Sequence, residues 1–227
     1  TIRVFVQPFP QITVSVDRDT ICSDETINFT INNDNGATFG TWLYDVEVVE
    51  ELEGAITGFD EPNDVSNVFQ ADNLVNTTEN VLWIDYIFKP KFVNSSDAGA
   101  SCQRQSEWDT IRIYVQPFPQ ITVSVDRDTI CSDEEINLTI NNDNDDYFGT
   151  WLYDVEVIEE QADAITGFTQ PTGVSDALQT DTLVNNTPNV HWIDYVFKPR
   201  LEGGSDDDSF CEREDQFDTI RVYVQPF

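Results

Sequence analysis

The stretch TIRVFVQPFPQITVSVDRDTICSDETINFTINND, Thr1 to Asp34, returns as TIRIYVQPFPQITVSVDRDTICSDEEINLTINND, Thr110 to Asp143, and TIRVYVQPF opens a third time at Thr219. The offset is 109 residues at each step. Cys22 and Cys131, Trp42 and Trp151, Gly58 and Gly167, Pro62 and Pro171, Asp85 and Asp194, and Cys102 and Cys211 keep that offset without insertion or deletion. A fixed period of this size sets the organisation before any local reading. Residues 1–9 read as the last strand of a preceding repeat, 10–118 as a first repeat and 119–227 as a second. Each repeat is long enough to bury a sandwich core.

Within one copy, apolar and polar residues alternate at period two, the mark of strands with one buried face. Ile12, Val14 and Val16 form one such row, then Ile27, Phe29 and Ile31, then Trp42, Tyr44, Val46 and Val48. Leu82, Ile84, Tyr86 and Phe88 make a later row, and Ile111, Ile113 and Val115 the last. Turn clusters at Asn32 to Gly36 and Asn94 to Asp97 separate them. Only Val48 to Leu52 and the span near Val65 offer a helical turn. About seven short strands per copy, with a Trp on the third, predict an all-β chain of two tandem Ig-like Greek-key β-sandwich modules in a linear array. Pro117 and Pro119 flank Phe118 at the joint, which restricts the backbone and predicts a short, stiff connection.

Forty-three acidic residues face 11 basic ones, a formal charge of -32. Such a chain repels phosphate backbones and anionic bilayers, which excludes nucleic-acid binding, and the charge reads as a solvated surface with some room for divalent cations. No apolar run reaches the length of a membrane span, and Thr1 opens no charged and apolar leader, so a secretion signal is expected outside this stretch.

The succession Ile-Cys-Ser-Asp-Glu, Thr-Phe-Gly-Thr-Trp, Ile-Thr-Gly, Asn-Leu-Val-Asn-Thr-Thr, a strand ending in Lys-Pro, a Cys, and a last strand closing in Val-Gln-Pro-Phe-Pro resembles the PKD-like repeats of giant surface proteins of Bacteroidota. The likeness covers the whole chain. It implies tandem Ig-like modules, export by the type IX route, an extracellular or cell-surface location, and work in adhesion, gliding or prey capture. The family's usual glycine after Cys-Ser is Asp24 and Asp133 here.

Four cysteines at a fixed period in an acidic all-β chain read as disulfides of an oxidising compartment. In an Ig-like module Cys22 and Cys102 fall near opposite ends, too far apart for a bond unless the Phe92 to Trp108 loop folds back. Two pairings stay open. One is a staple between modules, Cys22 with Cys211, which leaves Cys102 and Cys131 to other repeats. The other joins Cys22 to Cys102 and Cys131 to Cys211.

No nucleophile, base and orienting acid fall into a catalytic pattern, no glycine-rich phosphate loop appears, and the one histidine, His191, stands where the first copy has Leu82. The chain is therefore read as no enzyme. Asp143, Asp145 and Asp146, with Asp17, Asp19 and Asp24 across the joint, supply hard oxygen ligands of the type calcium takes, but the spacing is not that of an EF-hand and a solvated turn is the preferred reading. No cofactor is required. Asp-Thr-Ile and Asp-Thr-Leu triplets resemble the O-glycosylation signal of Bacteroidota, which would place glycans on Thr20, Thr110, Thr129, Thr182 and Thr219; strand patterning yields the same triplets. Asn28, Asn76, Asn94, Asn137 and Asn185 head N-x-Ser/Thr triplets.

The late strand is apolar on its other face too, at Val81, Trp83 and Ile87 and at Val190, Trp192 and Val196. Such a strand is expected to be covered on both sides, either by the Glu50 to Gln70 segment or by another chain packing laterally on Trp83, Ile87, Trp192 and Val196 into a homo-oligomeric fibre. The expected function is a structural repeat of an extracellular adhesive filament, with neighbouring repeats and a surface ligand as partners. The alternative is a carbohydrate- or protein-binding module using the loops that differ between copies, 50–70 and 92–107, matched by 159–179 and 201–215.

Overall fold

The computed structural model describes residues 1–3, 6, 8–36, 40–93, 101–203, 210–213 and 215–227. The chain divides into two units, Thr1–Pro117 and Phe118–Phe227. The first carries β1 (Ile12–Val16), β2 (Thr20–Ile21), β3 (Glu25–Asn33), β4 (Thr41–Glu50), β5 (Ile56–Thr57), β6 (Phe69–Asn76), β7 (Leu82–Val93), β8 (Ser101–Cys102) and β9 (Asp109–Val115). One sheet runs β1-β3-β6-β5 and the other β2-β9-β7-β4, with β8 paired to the end of β7. All pairs are antiparallel except β2 on β9. This is the Ig-like Greek-key sandwich: the chain crosses between sheets at β1 to β2, β2 to β3, β3 to β4, β4 to β5 and β6 to β7, and closes with β9.

The second unit repeats it with β10 (Ile121–Val125), β11 (Thr129–Cys131), β12 (Glu134–Asn142), β13 (Thr150–Glu159), β14 (Ile165–Thr166), β15 (Leu178–Asn185), β16 (His191–Glu202), β17 (Phe210–Cys211) and β18 (Asp218–Gln225). Its sheets run β10-β12-β15-β14 and β11-β18-β16-β13.

The alternating rows become the inner faces. Ile27, Phe29 and Ile31 of β3 pack against Ile84, Tyr86 and Phe88 of β7, closed by Tyr44, Val46, Ile113 and Val115. Phe29 tilts against Tyr86 at 4.6 Å and against Phe88 at 5.5 Å, the offset geometry aromatic rings prefer. Val48 and Val65 make no helical turn. Val48 continues β4, and Val65 forms a bridge with Tyr44 along the edge of that strand. Gln105–Glu107 is the one 3-10 helix among the described residues.

Thr1 to Phe9 repeat the sequence of β9 but form no strand at their described residues, and Ile2 is 92 % and Val6 89 % exposed. The same sequence at Thr110 pairs with β7 and buries Val115 completely. Pairing and burial, not local propensity, make this segment a strand. The Asn94 to Asp97 turn and Asn94 itself lie outside the described residues.

Candidate functional site

The Val-Gln-Pro-Phe-Pro-Gln joint is held from both sides. On the first unit, the Gln116 amide donates to the Ile21 carbonyl at 2.9 Å, extending the β2–β9 pairing by one residue. On the second, Asn144 accepts from the Gln120 amide at 2.8 Å and donates its Nδ2 to the Phe118 carbonyl at 2.9 Å, while the Arg213 guanidinium lies 4.5 Å over the Phe118 ring. Asn35 and Arg104 make the same clasp on Gln11 and Phe9 at the start of the first unit. The Asn comes from the turn after β3 or β12, where the sequence alone shows only a polar cluster.

Pro117 to Pro119 therefore keep few free torsions. Both prolines fix φ, and Phe118, preceding Pro119, is confined to extended backbone.

The turn after Cys22 keeps the geometry that glycine would give. Asp24 and Asp133 both sit at φ 68°, a left-handed conformation that Asp tolerates better than most residues. Glu25 anchors it by accepting from the Cys22 amide at 3.0 Å, and Asn73 donates to the Asp24 carboxylate at 3.1 Å.

Cys22 and Cys211 are buried and disulfide-bonded, whereas Cys102 and Cys131 are exposed free thiols. A bond within a module is ruled out by register. Cys22 follows Ile21, which pairs with Val115 opposite Leu82, whereas Cys102 pairs with Phe92. Ten residues of β7 separate those levels, roughly 33 Å at strand rise, against the ~7 Å a disulfide allows. Cys131 and Cys211 stand apart in the same way along β16.

The outer face of β7 is not the apolar strip its sequence suggests. Arg112 makes a bidentate pair with Asp85 at 2.7 and 2.8 Å and lays its guanidinium 3.9 Å over Trp83. Arg221, Asp194 and Trp192 repeat this, with the cation 3.7 Å from the ring. Further along, Lys89 pairs with Glu47 and Lys91 with Asp45 and Asp64. Ile87 is half-buried and Val196 buried. The Glu50 to Gln70 segment does not cover this face: Pro62 and Val65 run along the β4 edge, accepting from Val46 and pairing with Tyr44. Cross-strand cations cover the indoles instead.

Thr110, Thr129, Thr182 and Thr219 are exposed and Thr20 half-buried. Their triplets also carry a structural duty. Asp109 accepts the outward Val14 amide of edge strand β1 at 2.8 Å, and Asp218 accepts that of Val123 at 2.6 Å, blunting an edge that would otherwise pair with another chain. Asn76 and Asn185 are buried; each donates to the last strand, at Val115 and Val224, so neither triplet is open to a glycan in the folded module.

Among the described residues no three His, Cys, Asp or Glu side chains gather as ligands for one metal ion. Asp17 holds Asn28, Asp143 holds the Thr122 hydroxyl, and Asp145 and Asp146 are exposed in their turn. Asp19 is exposed, with its carbonyl accepting the Tyr114 amide at 2.8 Å. His191 is a packing residue whose Nδ1 meets Glu160 at 3.1 Å.

One buried polar constellation escaped the sequence reading. Asp72, 3 % exposed, accepts from the Tyr86 hydroxyl at 2.7 Å, the Gln70 amide at 3.3 Å and the Asp60 backbone at 3.2 Å. Burial pushes its carboxyl above the ordinary value, the Tyr86 bond opposes the rise, and the nearby Asp60 charge adds to it. Burial likewise pushes the Tyr86 hydroxyl up. Asp181 and Tyr195 repeat the pair at 2.7 Å, but Thr169 replaces Asp60 and adds its own hydroxyl bond at 2.9 Å.

No protein-family model matches the chain, and no curated protein does. Solved structures with some likeness include FdeC, an Escherichia coli adhesin, at 14 % identity and TM-score 0.43, with 96 % of this chain and 66 % of that one covered. The Yersinia pseudotuberculosis adhesin InvE aligns at 11 % identity and TM-score 0.28 over 95 % of this chain and 60 % of that one. Fibronectin(III)-like modules of Clostridium thermocellum CbhA align at 12 % and 0.30 over 94 % and 95 %. The chain thus spans about two thirds of the length of the first two.

Proposed function

We propose that this chain is a structural repeat of an extracellular adhesive filament or giant surface adhesin, a stiff spacer of PKD-like modules in surface attachment, gliding or prey capture. The observation that carries the reading is the joint. Its leaving residue is tied to one module and its arriving residues to the next, by a clasp that both modules possess. A connector specified this closely suits a load-bearing array.

The cysteines extend the proposal. A Cys22 to Cys211 staple would lock neighbouring modules, and Cys102 and Cys131 would make the same bond to further repeats. Lateral association of several chains would use the Arg112–Trp83 and Arg221–Trp192 faces, with glycans on the exposed threonines and calcium as an accessory. Electron microscopy of the native protein tests the reading: long filaments are expected, and monodisperse small particles would refute it. Peptide mapping without reduction tests the staple, and a Cys22 to Cys102 peptide would sink it.

A further inference from the structure

A cleft of about 400 Å³ opens on the first module, walled by Tyr44, Pro62 and Phe69 and carrying Asp60, Glu61 and Gln70. No lysine, arginine or histidine lines it. Glu61 spends one oxygen on the Val48 amide at 2.7 Å, whereas the Asp60 carboxylate has no ion-pair partner among the described residues and sits beside the buried Asp72. A negative charge placed next to another, against two rings and without a counter-ion, is an arrangement that a bound cation would relieve.

The second module supplies the comparison. Thr169, Gln170 and Leu178 occupy the positions of Asp60, Glu61 and Phe69. There the Thr169 hydroxyl bonds Asp181, and the acidic pair is absent. Three of the four lining differences add two carboxylates and a ring to the first module's cleft, and the fourth, Asn67 against Asp176, adds one carboxylate to the second, so the adjacent carboxylate pair belongs to the first module alone.

We propose that this cleft receives a lysine or arginine side chain of a protein partner. The alkyl stem lies along Pro62 and the Tyr44 and Phe69 rings, and the charged head meets Asp60 with the free oxygen of Glu61. The absence of a three-ligand cluster among the described residues favours an organic cation over a metal ion. Val68 and Phe69, 56 % and 68 % exposed, form an apolar lip beside the cleft that a protein surface can cover and a free amine cannot. The assignment deepens the adhesive reading by giving the chemistry of a partner. It is tested on the two-module chain alone, so it stands or falls independently of filament formation.

The experiment is an amide NMR titration at about 0.15 M salt, which screens long-range attraction, with acetyl-Gly-Lys-Gly-amide, its Arg counterpart and a Gln control. The expected result is saturable shifts confined to Asp60, Glu61, Phe69 and Gln70, absent at Thr169, Gln170 and Leu178 and absent with the Gln peptide. The double substitution Asp60→Thr with Glu61→Gln, which installs residues the second module already folds with, should weaken the Lys peptide about five- to tenfold. Shifts scattered over both modules without saturation, or an unchanged affinity in the double variant, would overturn the site. Spermidine binding to the same amides as tightly as the Lys peptide would overturn the protein partner.

Discussion

Asp72 and Tyr86 show how two copies of one sequence report on a single contact. Among the described residues Tyr86 is the only side-chain hydroxyl that donates to Asp72, whereas Asp181 receives both Tyr195 and Thr169. Tyr86→Phe should therefore cost about 1–3 kcal/mol of module stability by removing the one hydroxyl donor of a buried carboxylate, leaving it the weaker Gln70 and Asp60 N–H bonds. Tyr195→Phe should cost measurably less; denaturant melts of the two variants check the order. Because burial raises the folded carboxyl of Asp72 above its unfolded value, the folded state takes up its proton first as pH falls. The cost of keeping it ionised is present at neutral pH and disappears below the unfolded pKa. Asp72→Asn should accordingly stabilise the first module most near pH 7, with an advantage that fades through the carboxylate range; an advantage that grows on acidification contradicts the assignment.

At the scale of elements, the strands that show period two are the ones read correctly: β1, β3, β4, β7 and β9 present their rows of Ile, Val, Phe and Tyr inward. Strand β6 was not legible, because its inward positions are Gln70, Asp72, Leu74 and Asn76. Three of the four are polar, with partners that include Tyr86, Ser23 and the Val115 carbonyl, so no apolar alternation marks it. The clasp was hidden for a related reason: Asn35 and Asn144 look like ordinary turn residues until the fold brings Phe9 and Phe118 to them. The outer face of β7 misled in the opposite direction, since the sequence shows its indoles but not the arginines that the neighbouring strand brings two residues of register away. Gly58 was visible as an invariant of the repeat, and the reason is now steric. It has φ +91°, and a Cβ there would lie 1.9 Å from the Asn73 carbonyl oxygen of β6. Gly58→Ala should cost roughly 2 kcal/mol or more and detach β5 from β6, seen as lost amide-exchange protection at Ile56 and Thr57.

For the whole molecule, the charge of -32 acts against any compact assembly, because like charges repel until salt screens them. Such repulsion opposes the close approach of modules, and the few cations, committed to Asp45, Asp85, Asp154 and Asp194, serve each module's own sheet. What distinguishes a stiff repeat from loosely strung domains is the freedom left between Gln116 and Gln120. The two exposed free thiols, Cys102 in the first unit and Cys131 in the second, allow a direct measurement without substitution. Nitroxide labels on them, added without reductant, should give one narrow distance distribution by pulsed electron resonance, broadened when Asn144→Ala releases Phe118 and Gln120. A broad distribution in the parent chain, unchanged by Asn144→Ala, would contradict the stiff joint on which the proposed function rests.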